Sequence, residues 1–157
     1  MNNKTYYHLI IDKSGSMSSC VNETISGYNE QIQMIRDLQR LNPDQEILVS
    51  LTAFNHFVSH ISTCSKPADT ALLTHETYVP DGSTALLDAI GESVMSLKSR
   101  ASDEFNNDKA SAVVVIITDG YENASRFFSG NNVRNLIREL EATGKWMFSF
   151  LGADMAA

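Results

Sequence analysis

The chain has 157 residues, 43% of them hydrophobic and 20% charged, with a formal net charge of −7. That length fits one domain over 1–157 and can bury about two-thirds of the unfolded surface. No apolar run approaches the ~18 residues of a membrane span, and an acidic chain without a basic stripe makes a poor partner for a nucleic-acid backbone.

Met1-Asn2-Asn3-Lys4 is too short and polar for a signal peptide, so a cytoplasmic protein is expected. Tyr6 to Ile11 reads as the first strand and runs into Asp12. Ser14 and Ser16 follow, with Gly15 between them, where the missing Cβ permits a tight turn. From about Cys20 to Leu41 the residues Val21, Ile25, Tyr28, Ile32, Ile35, Leu38 and Leu41 recur at three- and four-residue steps. That spacing predicts one face of a helix, with Ser18 or Ser19 as N-cap, ended by Asn42-Pro43-Asp44. Glu46 to Phe54 is a second strand with Ile47, Val49 and Leu51 on one face, and Asn55-His56 turns into a hairpin partner over Phe57–Ile61.

Residues 62–79 read as irregular, with a short helical turn near Ala68 to Leu73. Leu87, Ile90, Val94 and Leu97 predict a helix starting at Ser83 or Thr84, followed by a polar loop from Ser99 to Lys109. Ala112 to Thr118 is continuously apolar and β-branched, as expected of a central parallel strand covered on both faces. Val133, Leu136, Ile137 and Leu140 give a helix closed by Gly144, and Lys145 to Leu151 is the last strand. Strands alternating with helices imply right-handed crossovers and an α/β, doubly wound, mostly parallel sheet with an antiparallel edge strand.

Two cysteines, Cys20 and Cys64, do not make a disulfide framework and are expected as thiols. His56 and His60 lie four apart in a predicted hairpin and read as a solvated edge, while His8 and His75 have no partner pattern. Asp88 reads as a solvated helix carboxylate.

Three loops carry the chemistry. Asp12, Ser14 and Ser16 offer a carboxylate and two hydroxyls, hard oxygen donors suited to a divalent cation such as Mg²⁺. Taken alone, such a loop before a helix is more simply a cap for the free N–H groups of the first turn. Asp81-Gly82-Ser83-Thr84 and Thr118-Asp119-Gly120 change the balance, because they add a threonine at a helix start and an acid at the end of a buried strand. In an open α/β sheet, ligands bind beyond the carboxyl ends of the strands, where Asp12 and Asp119 would meet.

Asp12-x-Ser14-x-Ser16, Thr84 and Thr118-Asp119-Gly120 together resemble the metal-ion-dependent adhesion site of the von Willebrand factor type A (VWA) family, over nearly the whole chain. The resemblance implies a metal held directly by Ser14 and Ser16, with Asp12 acting through water or orienting the serines. Thr84 and Asp119 would exchange direct and water-mediated roles. It further implies a non-enzymatic module that binds Mg²⁺ or Mn²⁺ and then an Asp or Glu carboxylate of a protein partner. By analogy it suggests a bacterial or phage-type intracellular member serving an ATPase or larger assembly. Tyr121, Glu122, Asn123 and Arg126 are candidates for the rim.

The rival is a Mg²⁺-dependent phosphohydrolase with Asp12 as nucleophile. It would want a second acid two residues on, where Ser14 stands, and a lysine near the phosphate, for which Lys13 and Lys109 are poorly suited. Serine chemistry at Ser16 lacks the Gly-x-Ser-x-Gly elbow. Such domains usually continue past the strand at Lys145–Leu151 with a further helix and often a strand. Either a naturally abbreviated domain or a fragment of a longer protein is therefore expected, with alternate residues of Val113–Ile117 and Trp146–Leu151 exposed and driving self-association.

Overall fold

The computed structural model describes residues 3–120 and 122–152. Its strands are β1 (Lys4–Asp12), β2 (Glu46–Phe54), β3 (Val58–Ser65), β4 (Ala110–Thr118) and β5 (Trp146–Gly152). Its helices are α1 (Val21–Leu41), α2 (Leu86–Arg100), α3 (Ser102–Asn106) and α4 (Gly130–Ala142). The strands form one five-stranded sheet in the order β3-β2-β1-β4-β5. All neighbours run parallel except β2 and β3, the hairpin expected at Asn55-His56.

Alternation along β1 splits the core in two. Leu9 and Ile11 face α1 and pack with Tyr28, Ile32 and Ile35, together with Val49, Leu51, Val115 and Ile117. Tyr6 and Ile10 face the other way, against Ile90, Val94 and Leu97 of α2 and Val133 and Leu140 of α4. Helices thus cover both faces of β1 and β4, and that is why β4 reads as an unbroken apolar run over Ala112–Ile117.

The sheet edges differ. β3 pairs with β2 through register shifts at Val49, Leu51 and Thr52, and Cys64 takes a left-handed φ of 50°. β5 pairs with β4 in continuous register from Ala112↔Trp146 to Thr118↔Gly152. Of the apolar face expected to be open, Val115 and Ile117 are buried; Met147 is 62% exposed, and Val113 and Leu151 are half-buried.

Four local expectations are corrected. Ser18 and Ser19 do not cap α1: they sit in a 3-10 turn over Gly15–Cys20, and Cys20 holds the cap position. The chain coils early and tightly so that Ser14 and Ser16 fall on one side. Residues 62–65 continue β3, and the helical turn in the middle region shrinks to Pro67–Asp69. α2 begins at Leu86, not at Ser83 or Thr84, because loop contacts claim the backbone groups just before it. The polar stretch from Ser99 to Lys109 contains α3, held down by Phe105, whose ring lies 5.0 Å from Trp146 and 6.1 Å from Tyr6.

Candidate metal centre

β1 and β4 lie side by side at the centre of the sheet, and their onward connections leave in opposite directions, to β2 and to β5. The carboxyl ends of such a pair frame a crevice. Asp12 ends β1 and Asp119 follows β4, so both acids stand at its mouth.

Asp12 is fully buried. Its Oδ1 accepts from the Ser14 amide at 2.8 Å and its Oδ2 from the Thr118 hydroxyl at 2.7 Å. The Asp12 carbonyl accepts from the Tyr78 hydroxyl at 2.6 Å. Burial pushes the Asp12 carboxyl above its ordinary range; the bonds from Ser14 and Thr118 pull it down, and the charge of Asp119 pushes it up again. Asp12 therefore fixes the loop rather than facing solvent.

Ser14 Oγ lies 3.2 Å from Ser16 Oγ, and the Ser16 hydroxyl in turn donates to Asp119 Oδ2. Ser14 is buried, Ser16 exposed and Asp119 half-buried, so the three form a path from the sheet to the surface.

Thr84 is buried and comes in on a third loop. Gly15 N–H donates to the Gly82 carbonyl and Asp81 N–H to the Lys13 carbonyl, both at 2.8 Å, which ties that loop to the serines. The Thr84 amide donates to Asn123 Oδ1 at 2.8 Å, and its carbonyl accepts from the amides of Asn123 and Ala124 at 2.9 Å each. Gly82 has a φ of 83°, and a Cβ there would run into the His56 ring, so the loop can pass only as glycine. The five predicted positions thus lie on three loops bonded to one another.

The donor set fits a hard divalent cation. It consists of oxygens, two carboxylate and the rest hydroxyl, without nitrogen or sulfur. Among the described residues no group of three His, Cys, Asp or Glu side chains converges, so hydroxyls would have to supply most of the ligands.

Several residues do work that the sequence did not advertise. Thr118 orients Asp12, and Tyr78 braces it from behind. Asp88 is buried, and its carboxylate accepts the amides of Arg126, Phe127 and Phe128 at 2.7, 3.0 and 2.9 Å. Its expected place as a solvated helix carboxylate is corrected, since those amides come from 38 to 40 residues downstream. Glu122 accepts the amides of Leu87, Ala124 and Ser125 and the Ser125 hydroxyl. Partial burial pushes its carboxyl up, but the bonds from Ser125, Leu87 and Ala124 outweigh that and hold it below the usual range. Of the expected rim, Glu122 and Asn123 act as struts, Arg126 is exposed and Tyr121 lies outside the described residues.

The histidines are also tied in. Buried His8 places Nε2 2.7 Å from Thr52 Oγ1, which lies 3.0 Å from His60 Nδ1, and His60 Nε2 reaches Glu92 at 3.2 Å. His8 therefore has a partner that no local pattern announced, and His60, exposed on the edge strand as expected, also reaches across to α2.

No family model matches the chain, and no curated protein does. Solved structures do. The ArnB paralog VWA2 from Sulfolobus acidocaldarius superposes with a TM-score of 0.60 at 16% identity, over 99% of this chain and 38% of that one. Manganese-loaded TRAP protein from Plasmodium vivax gives 0.62 at 18% identity, over 96% and 57%. This chain has a VWA-like fold. The vWF domain of the type V pili tip protein Mfa5 from Porphyromonas gingivalis has the same fold, with a TM-score of 0.50 at 13% identity over 78% of this chain and 40% of that one. The VWA-like chain spans well under two-thirds of the length of each of these proteins. Among its described residues no helix is long and apolar enough to cross a membrane.

Proposed function

We propose that this VWA-like domain is a metal-dependent protein-interaction module and not an enzyme. Ser14, Ser16 and Thr84, with Asp12 and Asp119, would hold Mg²⁺ or Mn²⁺, and an Asp or Glu of a protein partner would complete the coordination. The carrying observation is the linked chain Asp12–Ser14–Ser16–Asp119 at the centre of the sheet, an all-oxygen set that gathers two strand ends into one spot. A manganese-loaded structure among the similar folds supports the choice of cation.

The chemistry of the donors favours binding over hydrolysis. Neutral hydroxyls leave a divalent cation under-neutralised, and Mg²⁺ wants six oxygens in octahedral array, so an outside carboxylate is attracted. An attacking carboxylate needs a free oxygen aimed at the substrate, whereas Asp12 is fully buried with both oxygens engaged. By analogy with the fold, the partner belongs to an ATPase or larger assembly inside the cell.

Calorimetric titration with Mg²⁺ and with Mn²⁺ tests this directly. The wild-type chain should bind either ion, whereas Asp119→Ala and the double change Ser14→Ala with Ser16→Ala should not, with circular dichroism unchanged. A pull-down from lysate should release its captured protein on chelation. Equal Mg²⁺ affinity in all three proteins would remove the site assignment, and a metal-dependent phosphatase rate lost in Asp12→Asn would restore the hydrolase.

A further inference from the structure

Beside the loop that carries Thr84 lies a cavity of about 670 Å³. Phe57, Val58, Ala85, Ala124, Arg126 and Phe127 are among its walls. Ala85 follows Thr84 in the chain, and the amide of Ala124 is bonded to the Thr84 carbonyl, so the cavity adjoins the candidate metal centre. We infer that this cavity is a second recognition site, one that takes a large apolar side chain neighbouring the partner's metal-binding Asp or Glu. The inference rests on the metal-site reading above.

Both walls are built to hold their shape. On one side the hairpin turn is pinned to the Thr84 loop: Asn55 donates its side-chain amide to the Asp81 carbonyl at 3.0 Å, and Ala85 N–H donates to the Asn55 carbonyl at 2.7 Å. That turn displays Phe57, 69% exposed. On the other side, Glu122 and Asp88 collect six backbone amides between them, five of them from residues 124–128. Phe128 then seats on α2 where Gly91 leaves room, since a Cβ at Gly91 would collide with its ring. The result is a fixed loop that displays Phe127, 81% exposed. Fixing the backbone that carries two exposed phenylalanines lowers the ordering cost of an apolar contact made on binding.

Charge selects the occupant. The Asp88 carboxylate is buried in the wall under three amides, and Glu92 Oε1 lies 3.2 Å from His60 Nε2. Arg126 is exposed, and among the described residues its guanidinium has no acceptor. Arg126 therefore offers the mouth a cation free to pair, which fits an acidic segment bearing an aromatic or large aliphatic residue.

The probe is a random peptide library displayed on phage, panned against the wild-type chain in Mg²⁺ and eluted with EDTA. The eluted pool should be rich in Asp or Glu with a large apolar residue within a few positions. Changing that apolar residue to Ala in a selected peptide should weaken binding to the wild type about tenfold, the scale of an aromatic anchor. The same change should make little difference to a Phe57→Ala/Phe127→Ala protein, whose truncations lie outside the core. Calorimetry run alongside separates the failures. A protein that binds Mg²⁺ but elutes acidic peptides without apolar neighbours, or nothing at all, overturns the cavity and leaves the metal centre standing. An equal peptide penalty on both proteins does the same. Absence of Mg²⁺ binding overturns both.

Discussion

Asp12 and Asp119 are acids at neighbouring strand ends, yet they should respond oppositely to truncation. Asp12→Ala would leave the buried Ser14 amide and Thr118 hydroxyl without their acceptor, a loss of about 1–3 kcal/mol that urea unfolding would register. Asp119→Ala removes a half-buried carboxylate and its repulsion of Asp12, so the metal-free protein should be unchanged or slightly more stable. His8 supplies a pH test. Burial first, then the nearby charges of His60 and Arg100, bring its pKa from 6.5 to about 3. The unfolded chain therefore binds a proton at His8 between those limits that the folded chain does not, so this contribution to stability is complete above pH 6.5 and is lost as pH falls towards 3. His8→Gln should flatten the fall in melting temperature between pH 7 and 4 relative to the wild type. At this scale the meeting of Asp12, Ser14, Ser16 and Asp119 could be anticipated because they cluster in short motifs at strand ends. The roles of Thr52, Asp88 and, within its motif, Thr118 could not, because their partners come from strands and loops far along the chain.

Elements were readable where one residue pattern governs them. The 3.6-residue repeat of α1 and the unbroken apolar run of β4 place both, since burial on one or two faces is written directly into such patterns. α3 has no repeat; a single ring, Phe105, slotted against Trp146 and Tyr6, holds it. Phe105→Ala should cost about 3–5 kcal/mol and free the Ser99–Lys109 stretch to fast hydrogen exchange. The start of α2 was misplaced for a related reason: tertiary hydrogen bonds to Thr84 and Ala85 compete with helical ones. Gly91 on that helix makes a sharper test. Alanine favours helix by about 1 kcal/mol, but the Phe128 ring occupies the space its methyl would need. Gly91→Ala should therefore destabilise by about 1–3 kcal/mol and quicken exchange of the Arg126–Phe128 amides.

Among the described residues, the sheet has one guarded edge, at β3, and one edge without a further strand, at β5. Register shifts and the left-handed Cys64 bend β3 away from further pairing, whereas β5 runs straight for seven residues without a charge or a proline. Met147 and Phe150 are 62% and 54% exposed on its two faces. Self-association of this chain through β5 is the expected outcome, although over a smaller apolar face than the sequence suggested, because Val115 and Ile117 are covered. Light scattering through a dilution series should show a concentration-dependent mass, and Met147→Lys should lower it. A wild-type monomer at high micromolar concentration that binds no hydrophobic dye would rule this out.

The strand made first is the one in the middle. β1 leaves the ribosome before its neighbours, yet it cannot close on β4 until Thr118 has been added, 106 residues after Asp12. At about 5–20 residues per second, one flank of an apolar strand stays bare for several seconds or longer during synthesis. The two acids, Asp12 and Asp119, are separated by one residue more. An ion held jointly by Asp12 and Asp119, as proposed above, would require central strands that had already paired, so its binding would report that β1 and β4 had closed on each other.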